Sequence, residues 1–344
     1  MKLTPRIRQE ASFVSAVLLA SFFVGAVYPA IRDWRLAAGP ILRSGVSGFF
    51  IAFACIAADF IFFRKLNRLP FVLVLLTRTI VFALVGVTVI IVSRFTFTGR
   101  ISSLFVQARP LFITILITLT VSFSASTVVS LRRALGKQAF LCLFTGRYRR
   151  PVEETRMFMF ADLVSSTALA EKIGNAKFHQ LIHRFWCDIS DAILATKGEI
   201  YKYVGDEVIV TWALAEGESG DSWLECFFSI RDRIKRNKDE YLQRFGTFPR
   251  FRASLHCGKV TAGEVGDCKR EVAFLGDTIN TTQRILEVGK AYDRDLLLSA
   301  DALRRISEAE RYRIETIPES VLRGKEERVK LYAVEKKLSV LHPK

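Results

Sequence analysis

Four long apolar stretches, at 12–31, 44–63, 69–92 and 111–131, fill most of the first 131 residues. Each reaches the roughly 20 residues that an α-helix needs to cross the hydrocarbon core of a bilayer. Lipid offers no hydrogen-bond partners, so a segment in it must satisfy its own backbone groups. The front of the chain is therefore expected to be a bundle of four transmembrane helices. The first stretch has too long an apolar core for a secretory leader, and VYPAIRD offers no clear small-residue cleavage site. It is read as a retained span.

Charge divides the chain in two. Residues 1–150 hold 19 Lys/Arg and three acids, Glu10, Asp33 and Asp59, whereas 151–344 hold 31 of each sign. The formal charge of +16 thus belongs to the apolar half. A nucleic-acid binder would carry its basic face on the folded soluble part, so no nucleic-acid partner is expected. Four spans put both termini on one side. The inner flanks (2–8, 64–68 and 132–150) carry 12 basic residues and the outer loops six, which places both termini in the cytoplasm of a multi-pass inner-membrane protein.

Asp59 and Arg78 are charges inside the second and third predicted spans, joined as a hairpin by the turn at 64–68. Two readings are open. The charges pair across the hairpin, or Asp59 sits near the interface and Arg78 snorkels. Residues 132–146 read as a continuing helix with an amphipathic set, Leu135, Phe140, Leu141 and Leu143. The expected organisation is a transmembrane domain at 1–131, a helical linker at 132–152 and a soluble domain at 153–338.

The soluble half is long enough for one well-buried core. The six cysteines of the chain (55, 142, 187, 226, 257 and 268) include no C-x-x-C pair and read as reduced thiols. His179 and His183 lack the H-E-x-x-H pattern of a zinc helix. Hydrophobic periodicity predicts strand 156–163, helix 166–196, strands 199–204 and 207–213, helix 220–243, and strands 251–257 and 260–266. A helix follows Thr278, then a strand near 295–298 and a closing pair near 311–317 and 328–335. The order βαββαβ is the ferredoxin-like unit, an antiparallel α+β sheet with helices on one face.

Two aspartates stand at expected backbone bends. Asp162 closes the apolar run at 157–161 in FADLVSST, and Asp206 follows Gly205 in the hairpin KYVGDEV. On neighbouring strands both carboxylates project at one end of the sheet, where they repel unless a cation lies between them. Hard oxygen ligands suit Mg²⁺ or Mn²⁺, and paired ions of this kind move phosphoryl groups. Gly-Asp also serves hairpin geometry alone. Ser165, Ser166 and Thr167 open the next helix. Their hydroxyls either cap it or leave its free N–H groups to hold a phosphate. Asn280 and Arg284 lie four apart on a predicted helix and share a face that suits ribose and phosphate.

Taken together these stretches resemble the class III nucleotidyl cyclase catalytic domain, over roughly residues 155–336. FADLVSST is similar to the family's F-x-D-I-x-G-F-T, KYVGDEV to K-x-x-G-D, GDTINTTQR to G-D-x-x-N-x-A-x-R, and HCGKVTAGEVG to its H-x-G strand pair. The resemblance implies a head-to-tail homodimer with nucleotide between the protomers. Asp162, Asp206 and the Leu163 carbonyl would hold two Mg²⁺ or Mn²⁺ ions. Asn280 would reach the ribose and Arg284 the α-phosphate from the other protomer. Lys202 matches the purine-binding lysine, which favours ATP. The second base-reading position is Ala273, where the family's adenylyl cyclases carry Asp or Thr. Ser165, Ser166 and Thr167 would meet phosphates, and Arg323 aligns with a polyphosphate-binding residue.

The implied function is a membrane-anchored adenylate cyclase that converts ATP to 3′,5′-cyclic AMP and pyrophosphate. The alternatives are a guanylate cyclase and a catalytically silent nucleotide-binding membrane protein. A dinucleotide cyclase would show G-G-[DE]-E-F where this chain has V-G-D-E-V. The sequence names no upstream signal.

Overall fold

The computed structural model describes helices at 38–58 and 71–98, scattered residues within 15–26 and 116–145, and residues 146–337 apart from 216–218, 269 and 322–327. It forms two compact units, one within 7–141 and one spanning 142–344.

In the first unit, α1 (Ala38–Ala58) packs against α2 (Phe71–Thr98). Among the described residues, Val72–Val89 of α2 is the one stretch long and apolar enough to cross a bilayer, and the apolar part of α1, Gly45–Ala54, is shorter. Most of the first and fourth predicted spans, and Asp59, lie outside the described residues. Arg78 is buried and donates from Nη1 to Ser130 Oγ at 2.9 Å. Ser130 thus gives Arg78 a polar partner among the described residues.

The second unit is built on a sheet of β1 (Val152–Leu163), β2 (Glu199–Val204), β3 (Glu207–Ala213), β4 (Phe251–Val265), β5 (Glu271–Leu275), β6 (Leu296–Ser299), β7 (Tyr312–Val321) and β8 (Arg328–Lys336). The strand order is β2-β3-β1-β4-β6-β8-β7, with β5 paired to the far end of β4. The first four strands keep the expected ferredoxin-like order. The β4–β6 pair is parallel, so the whole sheet is mixed and not purely antiparallel.

Both faces of β1 are covered, which corrects the expectation of helices on one face. Met157, Met159, Ala161 and Leu163 meet α4 (Asn175–Ala195) and α5 (Ser222–Arg236) through Leu181, Phe185, Ile189, Trp223 and Phe227. Phe158 and Phe160 face the other way, into a cluster with Tyr148, Val260, Phe274 and Leu286. Leu286 belongs to α7 (Asp277–Ala291). A strand buried on both faces needs an unbroken apolar run, which is why residues 157–161 show no alternation.

Other boundaries shift for local reasons. The helix expected at 166–196 breaks at Gly174 (φ +84°) into α3 (Ser166–Ile173) and α4. The helix expected at 220–243 divides at Asn237 into α5 and α6 (Lys238–Phe245). The two strands expected at 251–266 are one continuous β4, because Gly258 takes no turn there but gives room to Thr278 of α7.

Candidate active site

Asp162 is the penultimate residue of β1 and pairs in register with Glu207 of β3 and Arg252 of β4. Val204 pairs with Glu207, so Gly205 and Asp206 form the two-residue turn between β2 and β3. Gly205 adopts φ +63°, a conformation that favours glycine. Register and turn together carry Asp206 to the end of β1, close enough for its carboxylate to act on that of Asp162. The sheet thus brings the two predicted aspartates together.

The electrostatics follow from that meeting. Asp162 is 8% exposed. Burial pushes its carboxyl above the usual carboxylate range, and Asp206 adds to the rise, while the Lys290 ammonium opposes it. Lys290, near the C-terminal end of α7, forms an ion pair with Asp162. Glu207 is also raised, first by burial and further by Asp162 and Asp206. Among the described residues no group of three or more His, Cys, Asp or Glu side chains forms a metal cage. Two carboxylates with an ammonium drawn onto them still fit a divalent cation of the Mg²⁺ type. Such ions use one or two carboxylates and fill their remaining positions with water and phosphate oxygens.

Leu163 ends β1 and is buried, so its backbone carbonyl is the part that can reach a cation. Ser165 holds φ +56° and makes no side-chain capping bond to α3. The hydroxyl cap considered for this turn is therefore not formed by Ser165. The first-turn N–H groups of Ser166 and Thr167 have no partner within the helix, as at any helix start.

Asn280 is exposed and Arg284 half-buried, both on α7. Thr278 Oγ1 donates to the Lys259 carbonyl at 2.7 Å, and Ser254 Oγ donates to the Thr282 carbonyl at 2.8 Å. The helix therefore runs back along β4, with Asn280 near Lys259 and Lys290 at the Asp162 end. Ten residues of helix separate Asn280 from Lys290, about 15 Å along the axis. Among the described residues no hydrogen bond or ion pair joins Asn280 or Arg284 to Asp162 or Asp206 of the same chain, where Lys290 is the partner of Asp162.

The adenylate and guanylate cyclase catalytic domain matches residues 149–336, more than half of the chain. The chain belongs to that family. It is 36% identical over 198 residues to adenylate cyclase 2 of Rhizobium meliloti (strain 1021), covering 58% of this chain and 54% of that one. It is 26% identical over 182 residues to an adenylate cyclase of Anabaena cylindrica, covering 51% and 36%. The chain thus spans about half the length, or less, of these curated relatives. The solved structure of a bacterial light-regulated adenylyl cyclase superposes with a TM-score of 0.56 at 18% identity, covering 64% of this chain and 65% of that one. That likeness concerns the fold.

The remaining predicted residues of the cyclase domain sort unevenly. Lys202 lies on β2 and forms an ion pair with Glu271 of β5 at 2.9 Å. Ala273, also on β5, is buried. Arg323 lies outside the described residues. Sequence reasoning missed Lys290 and Glu271. Lys290 carries no local signal, because its partner is fixed by the packing of α7 on the sheet. Glu271 stands two residues before Ala273, on the same face of a strand that the sequence reading did not recognise.

Proposed function

We propose that this chain is a membrane-anchored adenylate cyclase acting as a homodimer, with its catalytic domain in the cytoplasm. The observation that supports the reading is that, among the described residues, neither Asn280 nor Arg284 is bonded to the Asp162–Asp206 pair of its own protomer, whose partner is Lys290. One protomer thus carries both halves of a site without joining them. A two-fold dimer would oppose the Asp pair of one protomer to Asn280 and Arg284 of the other, giving two equivalent sites. Anchoring rests on the apolar run of α2 and on the basic excess of the predicted inner flanks.

Asp162, Asp206 and the Leu163 carbonyl would hold two Mg²⁺ or Mn²⁺ ions. Such ions supply charge neutralisation and a lowered pKa for a coordinated hydroxyl. The amides of Ser166 and Thr167 meet the polyphosphate at the start of α3. Asn280 orients the ribose. Arg284 faces the charge that grows on the α-phosphate as the 3′-oxygen bonds to phosphorus. The 3′-hydroxyl gives its proton to water, the bond between the α-phosphorus and the bridging oxygen breaks, and pyrophosphate departs. Lys202 donates to the purine ring.

Complementation tests the composite site. Asp162→Ala and Arg284→Ala homodimers should each be inactive, and co-expression should restore part of the cyclic AMP formation, because one heterodimer site keeps all its groups. A verified heterodimer without activity excludes the arrangement. Guanylate cyclase activity is the second reading, favoured by Ala273, which has no acceptor for the adenine amino group. Mass spectrometry of products from mixed ATP and GTP separates the two.

A further inference from the structure

β5 alternates. Glu271, Ala273 and Leu275 face one side, and Val272 and Phe274 the other. Phe274 is fixed by edge contacts with Tyr148, Phe158 and Tyr201, and its backbone N–H donates to Tyr201 Oη at 3.3 Å. The strand therefore cannot roll, and the Glu271 side chain is held toward Lys202. The Lys202 ammonium lies 2.9 Å from Glu271 Oε1, and the two side chains remain 43% and 38% exposed, open to a ligand. Ala273 offers a methyl group and is buried. The carboxylate that Ala273 lacks is thus present two residues earlier on the same strand face.

We propose that Glu271 is the specificity-determining acceptor for the purine 6-amino group, with Lys202 beside it as donor to ring N1. The inference rests on the cyclase reading above and says how its base is chosen. An ammonium has three donors and a carboxylate about four lone-pair positions, so the two groups can hold each other and still meet a base edge. The hydrogen bond that Lys202 donates to Glu271 also raises the Lys202 pKa. Adenine presents an acceptor at N1 and a donor at the 6-amino group, matching Lys202 and Glu271 in that order. Guanine reverses both, with N–H at position 1 and a carbonyl at position 6. It would set donor against donor and carboxylate against carbonyl oxygen.

The test uses the full chain in detergent with Mn²⁺, and compares ATP with purine riboside 5′-triphosphate, which carries hydrogen in place of the 6-amino group. Equilibrium binding by calorimetry and kcat/KM are measured for both. Glu271→Ala should weaken ATP by about tenfold or more, the loss expected for a hydrogen bond to a charged group. The analogue should change by less than about twofold, since it has no amino group to lose. Adding Ala273→Asp to Glu271→Ala should recover ATP selectivity. Equal losses on both triphosphates would mean that Glu271 merely supports Lys202, and would overturn the inference, as would no loss on either. Binding without turnover by the parent chain defeats the cyclase reading, while the ATP-to-analogue binding ratio still decides the role of Glu271.

Discussion

Lys290 and Asp162 form an ion pair across the end of the sheet, at the point where the Asp206 side chain also arrives. The ammonium supplies the positive charge that two adjoining carboxylates require. A divalent cation entering between them must displace it. A half-exposed pair of this kind contributes about 1 kcal/mol, equivalent to about fivefold in affinity. Lys290→Gln should therefore tighten Mn²⁺ binding about fivefold by calorimetry. It should also lower the metal-free melting temperature by about 2–4 °C, with Mn²⁺ restoring it. Unchanged Mn²⁺ affinity would show that Lys290 does not compete for the cation's place.

Arg156 is a buried charge on the face of the sheet that Phe274 and α7 cover. Only 1% exposed, it donates to Glu154 at 2.8 Å, Glu199 at 2.6 Å and Thr211 Oγ1 at 2.9 Å, and it lies 4.6 Å from the centre of the Phe274 ring. Removing one partner of a buried network leaves the others desolvated and unpaired, at a cost of about 3–5 kcal/mol. Arg156→Ala should lower the melting temperature of the soluble unit by about 6–20 °C. Arg156→Lys keeps the charge without the planar fork and should fall between. Scanning fluorimetry reads both. A loss below about 1 kcal/mol would place the network among weak surface pairs.

The candidate site marks where the sequence was readable and where it was not. Asp162 and Asp206 could be paired in advance because an apolar strand and a Gly-Asp hairpin are local signals, and the meeting of neighbouring strands fixes the rest. The ferredoxin-like order of β1 to β4 followed from the alternation of strand and helix patterns. The double coverage of β1 did not, because an uninterrupted apolar run has no period from which to infer a second face. β5 is five residues long and follows a β4 that the reading had split at Gly258. Once β5 was missed, the Lys202–Glu271 pair could not be seen. Lys290 was illegible for another reason: an ion pair between a helix end and a distant strand depends on the packing of α7, which no local pattern encodes.

Thiol reactivity should separate the cysteines by packing. Cys226 is fully buried in the helical core, and burial pushes its thiol up to about 12. Cys257 is buried and raised for the same reason. Cys187 and Cys268 are exposed. Only the thiolate alkylates at an appreciable rate. Iodoacetamide at mildly alkaline pH should label Cys187 and Cys268 in the native protein, and Cys226 and Cys257 only after denaturation, as mapped by mass spectrometry. Native labelling of Cys226 would contradict the packing of α5 against the sheet.

Gly258 sets the height of Asn280 above the sheet. A Cβ built on it would lie 2.4 Å from Thr278 Oγ1 and 3.2 Å from Thr278 Cγ2, inside contact distance. Thr278 cannot yield easily. It is buried, its hydroxyl donates to the Lys259 carbonyl at 2.7 Å, and its own carbonyl accepts from Thr282 Oγ1 at 2.7 Å. Gly258→Ala must therefore lift the first turn of α7, which carries Asn280 two residues on. Overpacking of this kind costs about 1–3 kcal/mol, and a displacement near 1 Å at a positioning group costs about 100-fold in rate. The variant should fold, with unchanged far-ultraviolet circular dichroism, and lose about 10- to 100-fold in kcat for cyclic AMP formation. Thr278→Ala removes the obstructing hydroxyl, so the double variant should regain activity over Gly258→Ala alone even though each change by itself is harmful. Simple multiplication of the two losses would mean that the two residues act independently, and that α7 is held by something other than this contact.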